Sequence, residues 1–309
     1  MSKLITVFGA TGNQGGSVIQ AILADAALSK EFKIRGINRD VTKPAAQALK
    51  AKGVEMVTAN MNDPASLLAA IKGSHTVFLV TNYWETGKPE VEIAQGKNVA
   101  DACKEAGVQH LLFSSLLHVT NETGGRLKNV PHFDGKAEIE AYVKDIGVPA
   151  TFVLPGYYMT NYTALGMIRK GEDGVYALAY PVGEGAKFPL ADVAEDMGKY
   201  VVAAMKQREK LLGAQVLVAE DYYTPTRILK EFEEVTGKKT QYVQVDSETY
   251  KSFLPGPMAQ EMLENHLFVE EPGYYAGKDL KESLDLLASA GLKPTSWKDF
   301  LMKNKEAFV

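Results

Sequence analysis

Cysteine is nearly absent from this chain: 309 residues contain one, Cys103. A single thiol excludes an intrachain disulfide and fits a reducing compartment. It lies in KNVADACKEAGV, whose amphipathic spacing makes it a small buried apolar residue rather than a redox group. Histidine is also sparse. The five (His75, His110, His118, His132, His266) are scattered without ligand-like spacing, which argues against a metal centre. No stretch approaches the ~20 apolar residues of a membrane span. The start, MSKLITVFG, enters a strand without the profile of a signal peptide. Charge of one sign is lacking too: 34 Lys and Arg face 38 Asp and Glu, for a net charge of -4. With no basic cluster to meet a phosphate backbone, direct nucleic-acid binding is not expected. A G-x-S-x-G elbow is missing, so an esterase has no support. These absences lead us to expect a soluble, cytoplasmic protein with no membrane partner; a nuclear location stays open.

What is present is rhythm. Short apolar runs at 4–9, 32–39, 54–60, 75–81, 110–115 and 150–156 alternate with amphipathic stretches. The spacing predicts six strands separated by helices, hence a parallel sheet covered on both faces. This is an α/β, doubly wound Rossmann architecture. After residue 157 the rhythm weakens. Residues 189–205 read as one capped helix, 214–220 as a strand, 224–237 as a helix and 240–245 as a short strand. We expect a binding domain over 1–156. A smaller, mostly helical lobe over 157–309 would face substrate or partner and share strands with the first.

The loop TVFGATGNQGGSV joins the first strand to the first helix. Its glycines, Gly9, Gly12 and Gly15, are spaced G-x-x-G-x-x-G. Gly9 would permit the tight turn, Gly12 the approach of backbone to a pyrophosphate, and Gly15 the packing of helix on strand. Amides of Asn13 to Gly15 would point at the phosphates, aided by the helix dipole. The end of strand two selects the dinucleotide. Asn38-Arg39 stands where an NAD-binding chain would carry Asp or Glu. Arg39, with Lys43 nearby, offers positive charge to a 2'-phosphate, so NADP(H) is the expected cofactor.

GATGNQGGSV, TNYWE, HFDGKAEIEAYV and LPGYYMTNY together resemble the NmrA-like family of atypical short-chain dehydrogenase/reductase folds. Those folds include NADP(H)-binding regulators, and isoflavone-reductase-like enzymes and quinone oxidoreductases are similar relatives. The resemblance implies that Thr11, Asn13 and Gln14 line the pyrophosphate and that Arg39 takes the 2'-phosphate. It places Asn60, Met61 and Asn62 beside the adenine, and Thr81, Asn82 and Tyr83 on the path to the nicotinamide. Lys136 would reach the nicotinamide ribose, with Pro155, Tyr157, Tyr158 and Asn161 over the nicotinamide end.

Short-chain reductases use Tyr-x-x-x-Lys, in which the ammonium lowers the phenol pKa. Here the matching segment is HFDGK: His132 replaces the tyrosine and Lys136 is retained. A Tyr-x-x-x-Lys string at Tyr274–Lys278 lies in the second lobe and is set aside as chance. Whether the chain is an enzyme therefore stays open. In one reading it is a redox sensor or transcriptional regulator that binds NADP(H) and signals through a protein partner; this is the preferred reading. In the other it is an NADPH-dependent oxidoreductase of a small carbonyl, quinone or enone, with Lys136, His132 or Tyr157 as the catalytic candidates. A homodimer is left open in both.

Overall fold

The structure, a computed structural model, describes residues 2–308. The first half builds strands β1 (Lys3–Val7), β2 (Phe32–Asn38), β3 (Glu55–Thr58), β4 (Thr76–Leu79), β5 (His110–Ser114) and β6 (Ala150–Pro155). The second half adds β7 (Tyr157–Tyr158), β8 (Ile168–Lys170), β9 (Tyr176–Tyr180), β10 (Phe188–Ala191), β11 (Gln215–Val218), β12 (Asp221–Tyr223) and β13 (Thr240–Gln244). One seven-stranded sheet runs β11-β6-β5-β4-β1-β2-β3, parallel throughout. Every residue of β4, β5 and β6 is buried, as strands covered on both faces require. The fold is thus Rossmann-like, with one strand from the second half lying beyond β6.

Local chemistry sets the helix ends. Asp63 caps the Pro64–Ile71 helix by accepting from the Ala65 and Ser66 amides. Thr224 does the same for the Pro225–Thr236 helix, with Pro225 in the first turn and Gly237 left-handed at the end.

The segment 189–205 divides. Phe188–Ala191 is a strand and the helix begins at Val193. Pro189, which resembles a first-turn proline in the sequence, instead lies opposite Tyr222. Beyond it, Leu190 and Ala191 pair with Tyr157 and Tyr158. The β12-β10-β7 sheet and the β13-β9-β8 sheet are short elements that the sequence rhythm largely concealed. The Val193–Lys206 helix lies directly on the Asn13–Ala24 helix. Gly198 N–H donates to Ser17 Oγ at 2.9 Å, and a Cβ on Gly198 would come within 2.1 Å of Ser17 O. The two helices therefore meet backbone to backbone.

Candidate functional site

Most of the candidate residues lie beyond the carboxyl ends of β1 to β4 and β6, the edge where open α/β sheets hold ligands. Gly9 turns the chain with φ 63°. Gly12 is the N-cap of the Asn13–Ala24 helix, and no side chain caps that end or places an acid in its first turn. The first backbone bond there runs from the Gly16 amide to Gly12 O, at 2.8 Å. Among the described residues, the amides of Asn13, Gln14 and Gly15 have no protein acceptor. A Cβ on Gly15 would lie 2.3 Å from Gly9 O, so only glycine lets the helix sit this close to the turn. Gln14 is buried; its Nε2 donates to Tyr158 Oη at 2.8 Å, while its Oε1 has no partner. Open amides, a dipole end and an orphaned polar atom suit an anionic ligand such as a pyrophosphate.

Asn38 Nδ2 donates to Thr11 Oγ1 at 2.8 Å and ties the end of β2 to the glycine loop. Arg39 is 68% exposed and forms an ion pair with Glu85. Glu85 ends a short 3-10 turn, Tyr83–Glu85, that follows β4. Lys43 is an exposed N-cap residue that contacts neither. Asn60, Met61 and Asn62 form the turn after β3. Asn60 Oδ1 accepts from the Asn62 amide at 3.0 Å, and Met61 O accepts from Asn98 Nδ2 at 2.9 Å.

The Pro131–Asp145 helix carries His132 and Lys136 four residues apart, on one face. Lys136 is buried. Its Nζ donates to Thr81 O at 3.1 Å and Thr81 Oγ1 at 2.8 Å, and lies 3.0 Å from Glu92 Oε1. Thr81 Oγ1 in turn donates to Glu92 Oε1 at 2.6 Å. The ammonium thus has an acceptor for each of its three protons. Glu92 is almost inaccessible, and its Oε2 has no partner.

One helical turn earlier, His132 Nδ1 bonds to Glu261 Oε1. An ionised carboxylate only accepts, so Nδ1 carries the proton. Tyr83 donates its hydroxyl to Glu261 Oε2 at 3.2 Å. Burial, followed by the Glu261 charge, pushes the Tyr83 phenol up to about 12. Ring contacts hem in the imidazole: Trp84 at 5.0 Å, Phe133 at 4.9 Å and Tyr83 at 6.1 Å.

Several candidates lie elsewhere or carry no link to these groups. Tyr157 faces a separate buried cluster, with its hydroxyl 3.3 Å from that of Tyr180 and 3.4 Å from His266 Nε2. Burial raises its pKa well above the ordinary range, and no contact joins it to Lys136 or His132. Pro155 O accepts from Tyr274 at 3.1 Å. Asn161 sits in the short Thr160–Ala164 helix, and Asn82 is exposed before the 3-10 turn. Lys278 bonds to Gln215 while the Tyr274 hydroxyl donates to Pro155 O, so the two share no partner.

Three carboxylates escaped the sequence reading. Glu92 shares the buried face of its helix with Gly96, Val99 and Cys103, and an acid in an apolar stripe was the available signal. Glu261 is likewise buried, on a helix face with Glu264, Asn265 and Phe268. Glu85 gave no signal, because an exposed acid in a turn is ordinary. Among the described residues, no group of three His, Cys, Asp or Glu is placed to hold a metal, and no helix is long and apolar enough to cross a membrane.

A family model described as the NmrA-like family matches residues 1–301. The chain is 30% identical to the NmrA-like family domain-containing oxidoreductase ptmS of Penicillium ochrochloron, covering 96% of this chain and 92% of that one. It is 31% identical to the oxidoreductase malD of Malbranchea aurantiaca, over 79% of this chain and 76% of the other. Among solved structures it resembles NmrA, a negative transcriptional regulator, in complex with NADP, with a TM-score of 0.80, 23% identity and coverage of 98% and 95%. It also resembles the Citrobacter triphenylmethane reductase complexed with NADP(H), with a TM-score of 0.79, 23% identity and coverage of 98% and 99%.

Proposed function

Because the chain belongs to the NmrA-like family, we propose that it is an NADPH-dependent oxidoreductase of a small carbonyl, quinone or enone. The observation that carries this reading is the pairing on one helix face of His132 and Lys136, each backed by a buried carboxylate. A surface that only bound a nucleotide would have no use for a proton-exchanging imidazole held this way. The oxidoreductase names of the two curated relatives support the same reading.

The open amides of Asn13 to Gly15 would hold the pyrophosphate, with Thr11 and Gln14 alongside. Arg39 would exchange its bond to Glu85 for one to the 2'-phosphate, with Lys43 adding charge. Asn60, Met61 and Asn62 would flank the adenine. Thr81, Asn82, Tyr83, Pro155, Tyr158 and Asn161 would border the nicotinamide end, with Tyr157 packed behind them. Lys136, fully satisfied by Thr81 and Glu92, serves as a fixed cation toward the nicotinamide ribose rather than as an acid. When bound, NADPH supplies a hydride. His132 delivers the accompanying proton to the substrate oxygen.

The test is NADPH oxidation, followed by absorbance, with a panel of quinones, aldehydes and enones. We expect turnover with at least one class and its loss in His132→Phe. Turnover that is absent from the whole panel, or is unchanged in that variant, overturns the reading.

A regulatory reading has one observation in its favour. Glu85 shares its turn with Trp84, which is 49% exposed. Displacing Glu85 from Arg39 would alter a surface that a protein partner, or a second copy of the chain, could sense. In that case oligomeric state or partner capture differs between NADP+, NADPH and ligand-free protein; identical behaviour in all three leaves the reading without a mechanism.

A further inference from the structure

We propose that Glu261 is a positioning residue: it fixes the His132 ring as the Nδ1–H form and leaves Nε2 as the atom that exchanges a proton with substrate. The proposal rests on the oxidoreductase reading of this site. Glu261 reaches from the Gly256–Phe268 helix of the second half to the Pro131–Asp145 helix of the first. Both partners are largely shielded, with side-chain exposures of 13% for His132 and 8% for Glu261. Shielding strengthens the bond, because water competes little for either group.

The carboxylate has little freedom to turn. Oε1 takes the imidazole Nδ1 proton and, at a long 3.4 Å, the His132 amide. Oε2 takes the Tyr83 hydroxyl, which its raised pKa keeps protonated at neutral pH. Tyr83, Trp84 and Phe133 limit rotation of the ring. Among the described residues, Nε2 has no hydrogen-bond partner. An imidazole whose Nδ1–H is held by a carboxylate presents its other nitrogen for proton transfer and carries a stabilised positive charge.

The step is then balanced. As the hydride pair from NADPH forms the new bond to substrate carbon, the C=O π pair shifts onto the substrate oxygen; that π pair forms the O–H bond as the Nε2–H bond of the imidazolium breaks. The N–H electron pair returns to the ring, Nδ1–H stays on Glu261, and water restores the Nε2 proton. Glu261 touches no reacting atom and acts through His132. The second half of the chain thereby enters the chemistry.

The experiment has two arms. Full-length protein with ¹⁵N-labelled histidine, without cofactor, gives long-range ¹H–¹⁵N spectra at a pH where the ring is neutral. His132 is expected as the Nδ1–H tautomer in the wild type and as a mixture in Glu261→Ala. Glu261→Gln keeps the volume and an accepting oxygen, so it retains the tautomer but loses the charge that stabilises the imidazolium; where the alanine variant fails to fold, the double-variant comparison decides. In the second arm, kcat falls about 10–100-fold in Glu261→Gln, part of the ~10²–10⁴ that a positioned general acid supplies. NADPH affinity stays within about twofold, since the carboxylate contacts none of the phosphate-facing groups. Combining Glu261→Gln with His132→Phe costs no more than His132→Phe alone, because one residue acts through the other. An unchanged tautomer in Glu261→Ala, or an additive loss in the double variant, overturns the proposal. A wild type that turns over no substrate defeats the oxidoreductase reading instead, and the spectra still decide the role of Glu261.

Discussion

Replacing Lys136 with methionine tests the buried pair beneath the proposed site. The substitution removes the ammonium and keeps most of the aliphatic volume. It leaves the Glu92 carboxylate 1% exposed, with Thr81 Oγ1 as the one remaining donor to Oε1 and none to Oε2. Breaking a buried ion pair from one side typically costs about 3–5 kcal/mol, because the surviving charge is stranded. At roughly 2–4 °C per kcal/mol for a chain of this size, melting falls by about 10 °C. Denaturant unfolding at pH 7 measures the free energy, and a melting curve checks it. The companion variant, Lys136→Met with Glu92→Gln, has no stranded charge and should recover more than half of the loss. Lys136→Met melting within about a degree of the wild type would refute the reasoning, as would a double variant no more stable than the single. The same experiment guards the activity assays. Lost turnover in a Lys136 variant speaks about ribose contact only when measured below the lowered melting point.

Other expectations follow from separate parts of the molecule. Glu85→Gln frees Arg39 from an exposed ion pair of about 0.2–1 kcal/mol. Calorimetry should show NADPH binding roughly 1.5–5-fold more tightly with NADH unchanged; equal gains for both would mean that Arg39 does not meet the 2'-phosphate. Arg39→Asp should weaken NADPH roughly ten- to a hundredfold, from about 1.5–3 kcal/mol of charge-assisted bonding, and a change in preference below tenfold contradicts that contact. Burial holds His266 down to about 4 and His110 down to about 3, so both are neutral in the folded protein at neutral pH. Their contribution is therefore complete above the ordinary histidine value near 6.5. It drains away as the pH falls toward those depressed values, by about 1.4 kcal/mol per pH unit for each. Urea unfolding between pH 7.5 and 5 should show this slope, and His266→Gln should flatten it by up to about 1.4 kcal/mol per pH unit; an unaltered slope removes His266 from the account. Gly15→Ala drives a methyl group into Gly9 O, so dinucleotide binding and stability should both fall; a variant that binds normally would show that the loop can relax.

The first half was legible because its sheet strands announce themselves. VFL in β4 and LLF in β5 are unbroken apolar runs, and the helices after β2, β3 and β4 each start with a proline, Pro44, Pro64 and Pro89. The glycine loop was legible for the same local reason. The second half hides its strands: Tyr176–Tyr180 (YALAY) has alanine, a poor strand former, at two of its positions, and Phe188–Ala191 contains a proline that imitates a helix start. The polar site was half visible. His132 and Lys136 stand in one motif, but Glu261 lies 129 residues from its partner, and only tertiary packing joins them. Tyr157 and Tyr158 are neighbours in sequence yet face opposite sides of a strand. Tyr158 meets Gln14 while Tyr157 turns into the core.

The Gly198 contact carries a practical corollary. The helix proposed to face the phosphates is pinned along its length by a segment roughly 180 positions downstream, with Ser17 Oγ bonded to that segment's backbone. A shortened gene ending near residue 156 would unroof Val18 and Ile22 and leave the outer edge of β6 without its neighbour β11. Such a fragment would present bare apolar area and an open strand to its own copies, the ingredients of inclusion bodies. Whoever wishes to probe nucleotide affinity by dissection should alter side chains in the intact polypeptide instead of cutting it.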